Sequence, residues 1–197
     1  MHDSLAFQLA VPMAPDMARQ RQVPPGTSYL LLSSLADKHR IDEPLAEALA
    51  DALLQWARPG ETPFAWLWVP YMSDRKLRRV LEQGGLLDAA FVEHGDWVIP
   101  CSSRAAVKTV LTTCRCEITG FVFCDGPERV RETVVFANES KWNYESFESN
   151  LLNLCGRVHG GFAFAASGHA SLEVLGSPDF IVERCLRWIA QRWLEAP

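Results

Sequence analysis

The chain has 197 residues, 48% of them hydrophobic and 22% charged, with 12 Gly and 12 Pro. This is the make-up of an ordinary globular protein long enough to bury its own core, and it excludes fibrous, collagen-like and largely disordered chains. The formal net charge of −5 argues against a nucleic-acid partner, which calls for a basic surplus. No apolar run reaches the roughly 18 residues that a bilayer span needs, so no membrane association is expected.

The first residues place Asp3 and no Lys or Arg ahead of a short apolar stretch that Pro12 interrupts. That is a poor match to a secretory signal, and a cytoplasmic location is expected. The cysteines (Cys101, Cys114, Cys116, Cys124, Cys155, Cys185) then read as free thiols, most of them small buried hydrophobes. Residues 1–27 hold four prolines and three methionines with no sustained period, which predicts an extended N-terminal arm. Residues 28–197 are expected to form a single α+β domain.

Within that domain, residues 29–32 read as a short buried strand. A helix is predicted from Asp42, with Pro44 in its first turn, Leu45, Leu49, Leu53 and Trp56 on its apolar face, and Pro59-Gly60 after it. Residues 64–69 alternate aromatic with aliphatic side chains, the pattern of a strand covered on both faces and the best candidate for a central one. Ser73 opens a helix with Leu77, Val80 and Leu81 inward, a basic outer face, and Gly84-Gly85 as its stop.

From residue 85 onward the pattern predicts three strand-strand-helix units. The first pairs 89–93 with 97–100 across His94-Gly95-Asp96 and continues in a helix over 103–113. The second pairs 118–124 with 133–137, followed by a helix capped by Asn143. The third pairs 162–166 with 172–175, and Ser177-Pro178-Asp179 then opens a terminal helix. That helix is expected to bury Ile181, Cys185, Trp188 and Ile189 and to carry Arg184, Arg187 and Arg192 elsewhere. The fold class that follows is α+β, with a mixed or antiparallel sheet of about seven to eight strands covered by about five helices and ββα units in the C-terminal half.

Chemistry-bearing patterns are sparse. Cys114, Cys116, Cys124, Cys155, His159 and His169 are ligand types that suit zinc, but no Cys-x-x-Cys spacing occurs. Cys155 and His159 are close in sequence, yet Cys155 falls at a predicted helix C-terminus, the wrong end of the dipole for a thiolate. Ser167 lacks the flanking pattern of a nucleophile elbow, and Gly160-Gly161 lacks that of a phosphate loop. Arg75, Lys76, Arg78 and Arg79 read as a solvated helix face. No catalytic residue, metal ligand or cofactor is assigned.

Charge is unevenly spread. Between residues 117 and 148 seven acids face three bases, and Trp142 and Tyr144 stand in a polar stretch where large aromatics find little local apolar company. This favours a protein-binding module of inhibitor, immunity or adaptor type that associates with a basic partner. The residues expected to carry the association are Asp125, Glu128, Glu139, Trp142, Tyr144, Glu145 and Glu148. Trp142 packed on Phe147 as a hydrophobic staple is the purely structural account of the same segment. The alternative function is an enzyme or small-molecule-binding domain whose site is assembled from loops, with His94, Asp96, His159 and His169 as its polar groups.

Overall fold

Alternation along one strand sets the architecture. In β3 (Thr62–Pro70), Phe64 and Trp66 are buried on one face while Ala65 and Leu67 are buried on the other, so helices must cover both sides. The computed structural model, which describes residues 5–20, 23–34, 40–114, 116–139, 161–166 and 168–194, supplies them. An eight-stranded sheet runs in the order β1-β2-β8-β7-β6-β3-β5-β4, with every neighbouring pair antiparallel. Its other strands are β1 (Leu5–Ala10), β2 (Ser28–Ser34), β4 (Phe91–Glu93), β5 (Asp96–Pro100), β6 (Cys116–Cys124), β7 (Gly161–Ala166) and β8 (Ser171–Gly176). β3 lies in the interior between β6 and β5, two strands in from an edge rather than at the centre.

One face is packed by α2 (Glu43–Trp56), α3 (Asp74–Gln83), α4 (Arg104–Thr113) and α6, the terminal helix, which is π-wound over Phe180–Leu186 and α-wound over Arg187–Leu194. The other face is packed by α1 (Pro15–Gln20) and α5 (Pro127–Glu139), together with Met13 and Val23. Among the described residues no helix is long and apolar enough to cross a membrane.

The local signals explain the elements. Asp42 caps α2 by accepting the Leu45 N–H at 3.1 Å, and the predicted apolar face of Leu45, Leu49, Leu53 and Trp56 is buried; each such side chain contributes about 1.5–3 kcal/mol. Ser103 caps α4 in the same way through the Ala106 N–H. His94 and Gly95 have φ of 49° and 90°, the left-handed pair that a two-residue hairpin turn between β4 and β5 requires. The basic residues of α3 are exposed and Leu77 is buried, as expected.

Three expectations are corrected. Residues 133–137 belong to α5 and form no strand. Pro127 and Glu128 start the helix, Val130 and Val134 share a face buried on the sheet, and the Thr133 hydroxyl donates to the Arg129 carbonyl at 2.8 Å, so a β-branched run reads as helix once one face is covered. Arg184 is not on an outer face; it is buried and bound at both terminal nitrogens by Glu61, at 3.0 and 3.2 Å. Its spacing from Ile181 and Cys185 already puts it on the inner side, and the partner that permits burial is 123 residues away. Within residues 1–27, where no period is legible, Leu5–Ala10 is an edge strand paired along its length with β2 and Pro15–Gln20 is a short helix. The helix expected from Asn143 lies outside the described residues.

Candidate functional site: a cavity at the end of the sheet

The strand directions bring several loops to one end of the sheet. β2, β3 and β7 finish there, and β5, β6 and β8 begin there. On the side covered by α2 and α4, this end holds a cavity of about 290 Å³. Its floor is Cys116 and Thr119 from the start of β6 and Ala165 from the end of β7; Leu111, Thr112 and Cys114 from the end of α4 form one wall. Tyr71, directly after β3, and Arg40 and Ile41, directly before α2, form another, and the β7–β8 turn closes the rim with Gly168 and His169.

The chemistry of this lining is one-sided. Arg40 is a permanent cation, Tyr71, His169 and the threonines offer polar hydrogen-bonding groups, and among the described residues no carboxylate lines the cavity. The two thiols are neutral. Burial, the largest cause for each, pushes both Cys114 and Cys116 up to about 12, and Cys114 caps the C-terminal end of α4, where the helix dipole further disfavours a thiolate. The cavity therefore presents soft, apolar sulfur surfaces to a ligand and not an activated nucleophile. Cys114, which ends α4, and Cys116, which opens β6, both line this one cavity.

The residues singled out from sequence are placed as follows. His169 lines the cavity. His94 and Asp96 sit at the β4–β5 hairpin, four strand spacings from the β7–β8 turn that carries His169, roughly 19 Å at about 4.8 Å per strand; Asp96, in β5, is two strands from β6 and its charge is a minor cause of the raised Cys116. Asp96 accepts the Trp66 indole N–H at 2.9 Å, which ties that hairpin to β3. His159 lies outside the described residues, as do Trp142, Tyr144, Glu145 and Glu148. Glu139 is the last residue of α5. Asp125 and Glu128 are exposed at the start of α5, where Asp125 pairs with Arg129 and Glu128 with Arg131 at 3.5 and 3.4 Å. Among the described residues no group of three or more His, Cys, Asp or Glu converges to hold a metal ion.

Arg40, Tyr71, Thr112 and Thr119 were not legible as site residues. Each is an ordinary loop, helix-end or strand residue in sequence, and only the sheet order brings them together; the one available signal is that Tyr71 follows a strand-ending proline. Comparison of the chain with protein-family models, curated proteins and solved structures finds no match.

Proposed function

We propose that this chain is a small-molecule-binding domain that takes a small organic acid in the cavity at the end of the sheet. The observation that carries the reading is the lining itself, in which Arg40 and other polar donors surround neutral thiols and alanine with no carboxylate among the described residues, inside a protein whose net charge is −5. A site that gathers cationic and donor groups against the charge of the whole molecule selects an acceptor-rich ligand. A volume of about 290 Å³ stands at the lower edge of the roughly 300–1,000 Å³ typical of ligand pockets. It suits a compact acid with a short apolar part lying on Cys114, Cys116 and Ala165.

Stoichiometric association with a basic protein, the other reading of the sequence, draws on the exposed carboxylates of Asp125 and Glu128. Each is matched by an arginine of α5, which reduces the charge they offer, so the cavity is the stronger ground.

The test is a thermal-shift titration with small mono- and dicarboxylic acids on the wild type and on Arg40→Ala and Ala166→Phe, the second of which fills the cavity from its rim. A saturable shift that weakens roughly tenfold in Arg40→Ala, the size of one lost charge-assisted contact, and disappears in Ala166→Phe supports the reading. A panel without any shift, or a shift that survives both substitutions, overturns it.

A further inference from the structure

A second cleft lies at the opposite end of α2, about 21 Å away along a 14-residue helix at 1.5 Å per residue. It separates the C-terminal end of α2 from α6 and has a volume of about 760 Å³. Its walls include Trp56 and Trp188, whose rings meet edge-on with centroids 6.2 Å apart, and its rim carries Arg58 and Arg187, both exposed.

Two observations independent of its shape mark this groove as a ligand site. The first is a pair of orphaned donors: Trp56 Nε1 and Arg184 Nε are both buried and have no hydrogen-bond partner among the described residues, although both residues line the groove. Glu61 satisfies only the two terminal nitrogens of Arg184. Buried donors in native proteins are almost always paired, and one left unpaired calls for an acceptor from elsewhere. The second is the π-winding of Phe180–Leu186, which forms one wall; π-helical turns are rare and concentrate at functional sites.

We propose that the α2–α6 groove binds a planar organic anion, a carboxylate or sulfonate on an aromatic body. The two tryptophans offer flat apolar walls. Among the described residues of the lining, the rim arginines outnumber the acid Glu183, and Arg184 is already matched by Glu61, so the excess charge they present is positive. The orphaned N–H groups specify acceptor atoms at the floor. Both are closed off from solvent, so an acceptor reaches them only when the side chains around them shift, and tryptophan fluorescence reports the event.

The probe is 8-anilinonaphthalene-1-sulfonate, titrated into the folded full chain with tryptophan quenching and dye emission followed together, and with inorganic phosphate as competitor. The expected result is saturable one-site binding that phosphate does not displace and that weakens by roughly tenfold in the doubly charge-reversed Arg58→Glu/Arg187→Glu protein. Trp56→Phe, which keeps a flat wall but lacks the N–H, is expected to weaken it severalfold. Arg40→Ala, at the other end of α2, is expected to leave it unchanged, which separates this site from the sheet-end cavity. Equal affinity in the charge-reversed protein, displacement by phosphate alone, or loss in Arg40→Ala overturns the proposal.

Discussion

Gly161 shows how much one hydrogen atom in place of a methyl group can decide. It opens β7 opposite Gly176 of β8, and a Cβ there would lie 2.7 Å from both the Leu175 carbonyl oxygen and a ring carbon of Phe180. Neither neighbour can retreat. The carbonyl belongs to the sheet, and the Phe180 ring is held between Phe123, at 6.0 Å, and the Arg184 guanidinium, at 5.1 Å. Gly161→Ala is therefore expected to destabilise the fold by about 1–3 kcal/mol, the usual cost of overpacking. A urea or thermal melt checks this, and an unchanged midpoint would show that the start of β7 is looser than its contacts imply. In the sequence Gly160-Gly161 reads only as a loop that is not a phosphate site, because the ring that excludes a side chain arrives from 19 residues further on.

At the scale of elements, α2 and α4 are joined by charge as well as by apolar packing. Glu43, Glu47 and Asp51 recur every four residues along α2, and Arg104 and Lys108 recur at the same interval along α4, so each set forms one stripe. Lys108 Nζ meets Glu43 at 2.7 Å and Glu47 at 2.9 Å, while Arg104 meets Asp51. The hydrogen bond from Lys108 is the main cause that holds Glu47 below the ordinary carboxylate value, and those to Glu43 and Glu47 raise Lys108. A lowered carboxylate stabilises above its unfolded pKa and loses that contribution as pH falls through the folded value; a raised lysine stabilises below its unfolded pKa and loses it as pH rises. Lys108→Met should therefore lower the melting temperature between about pH 5 and 10, at low salt and much less at 1 M, where the Debye length is about 3 Å. Salt-independent loss would assign the effect to the lysine stem instead.

The starts of these two helices, at Asp42 and Ser103, were legible in sequence because their signals are local. What joins them was not. The same limit explains the misread second hairpin: 133–137 carries β-branched residues whose helical conformation is decided by Val130 and Val134 burying on a sheet face that no local pattern displays. Arg184 is the sharpest instance, since its helix spacing pointed inward and only the distant Glu61 makes a buried guanidinium tolerable.

At the scale of the whole molecule, a sheet covered on both faces removes nearly all the interior from water, and the thiols record how completely. The five described cysteines are all buried, as the sequence suggested for small hydrophobes. Burial, the first cause in each case, pushes Cys101, Cys114 and Cys116 up to about 12 and Cys124 up to about 11 from an ordinary value of 9.0, and Cys185 upward as well. The sign follows from linkage: between about pH 9 and 11 the unfolded chain releases these protons while the folded chain keeps them, so unfolding is favoured progressively as pH rises. Stability contributed by these groups is intact below the unfolded thiol value and disappears toward the folded one. The melting temperature should accordingly be insensitive to these thiols between pH 7 and about 8.5 and should fall steadily above about 9. Other groups also titrate there, so the thiols are read directly: iodoacetamide pulses at pH 9, mapped by peptide, should label Cys101, Cys114, Cys116, Cys124 and Cys185 in urea and leave them unmodified in the folded protein. Labelling of Cys114 or Cys116 in the folded protein at the denatured rate would mean that the sheet-end cavity admits solvent to ionised sulfur. The neutral floor on which binding of an organic acid depends would then be lost.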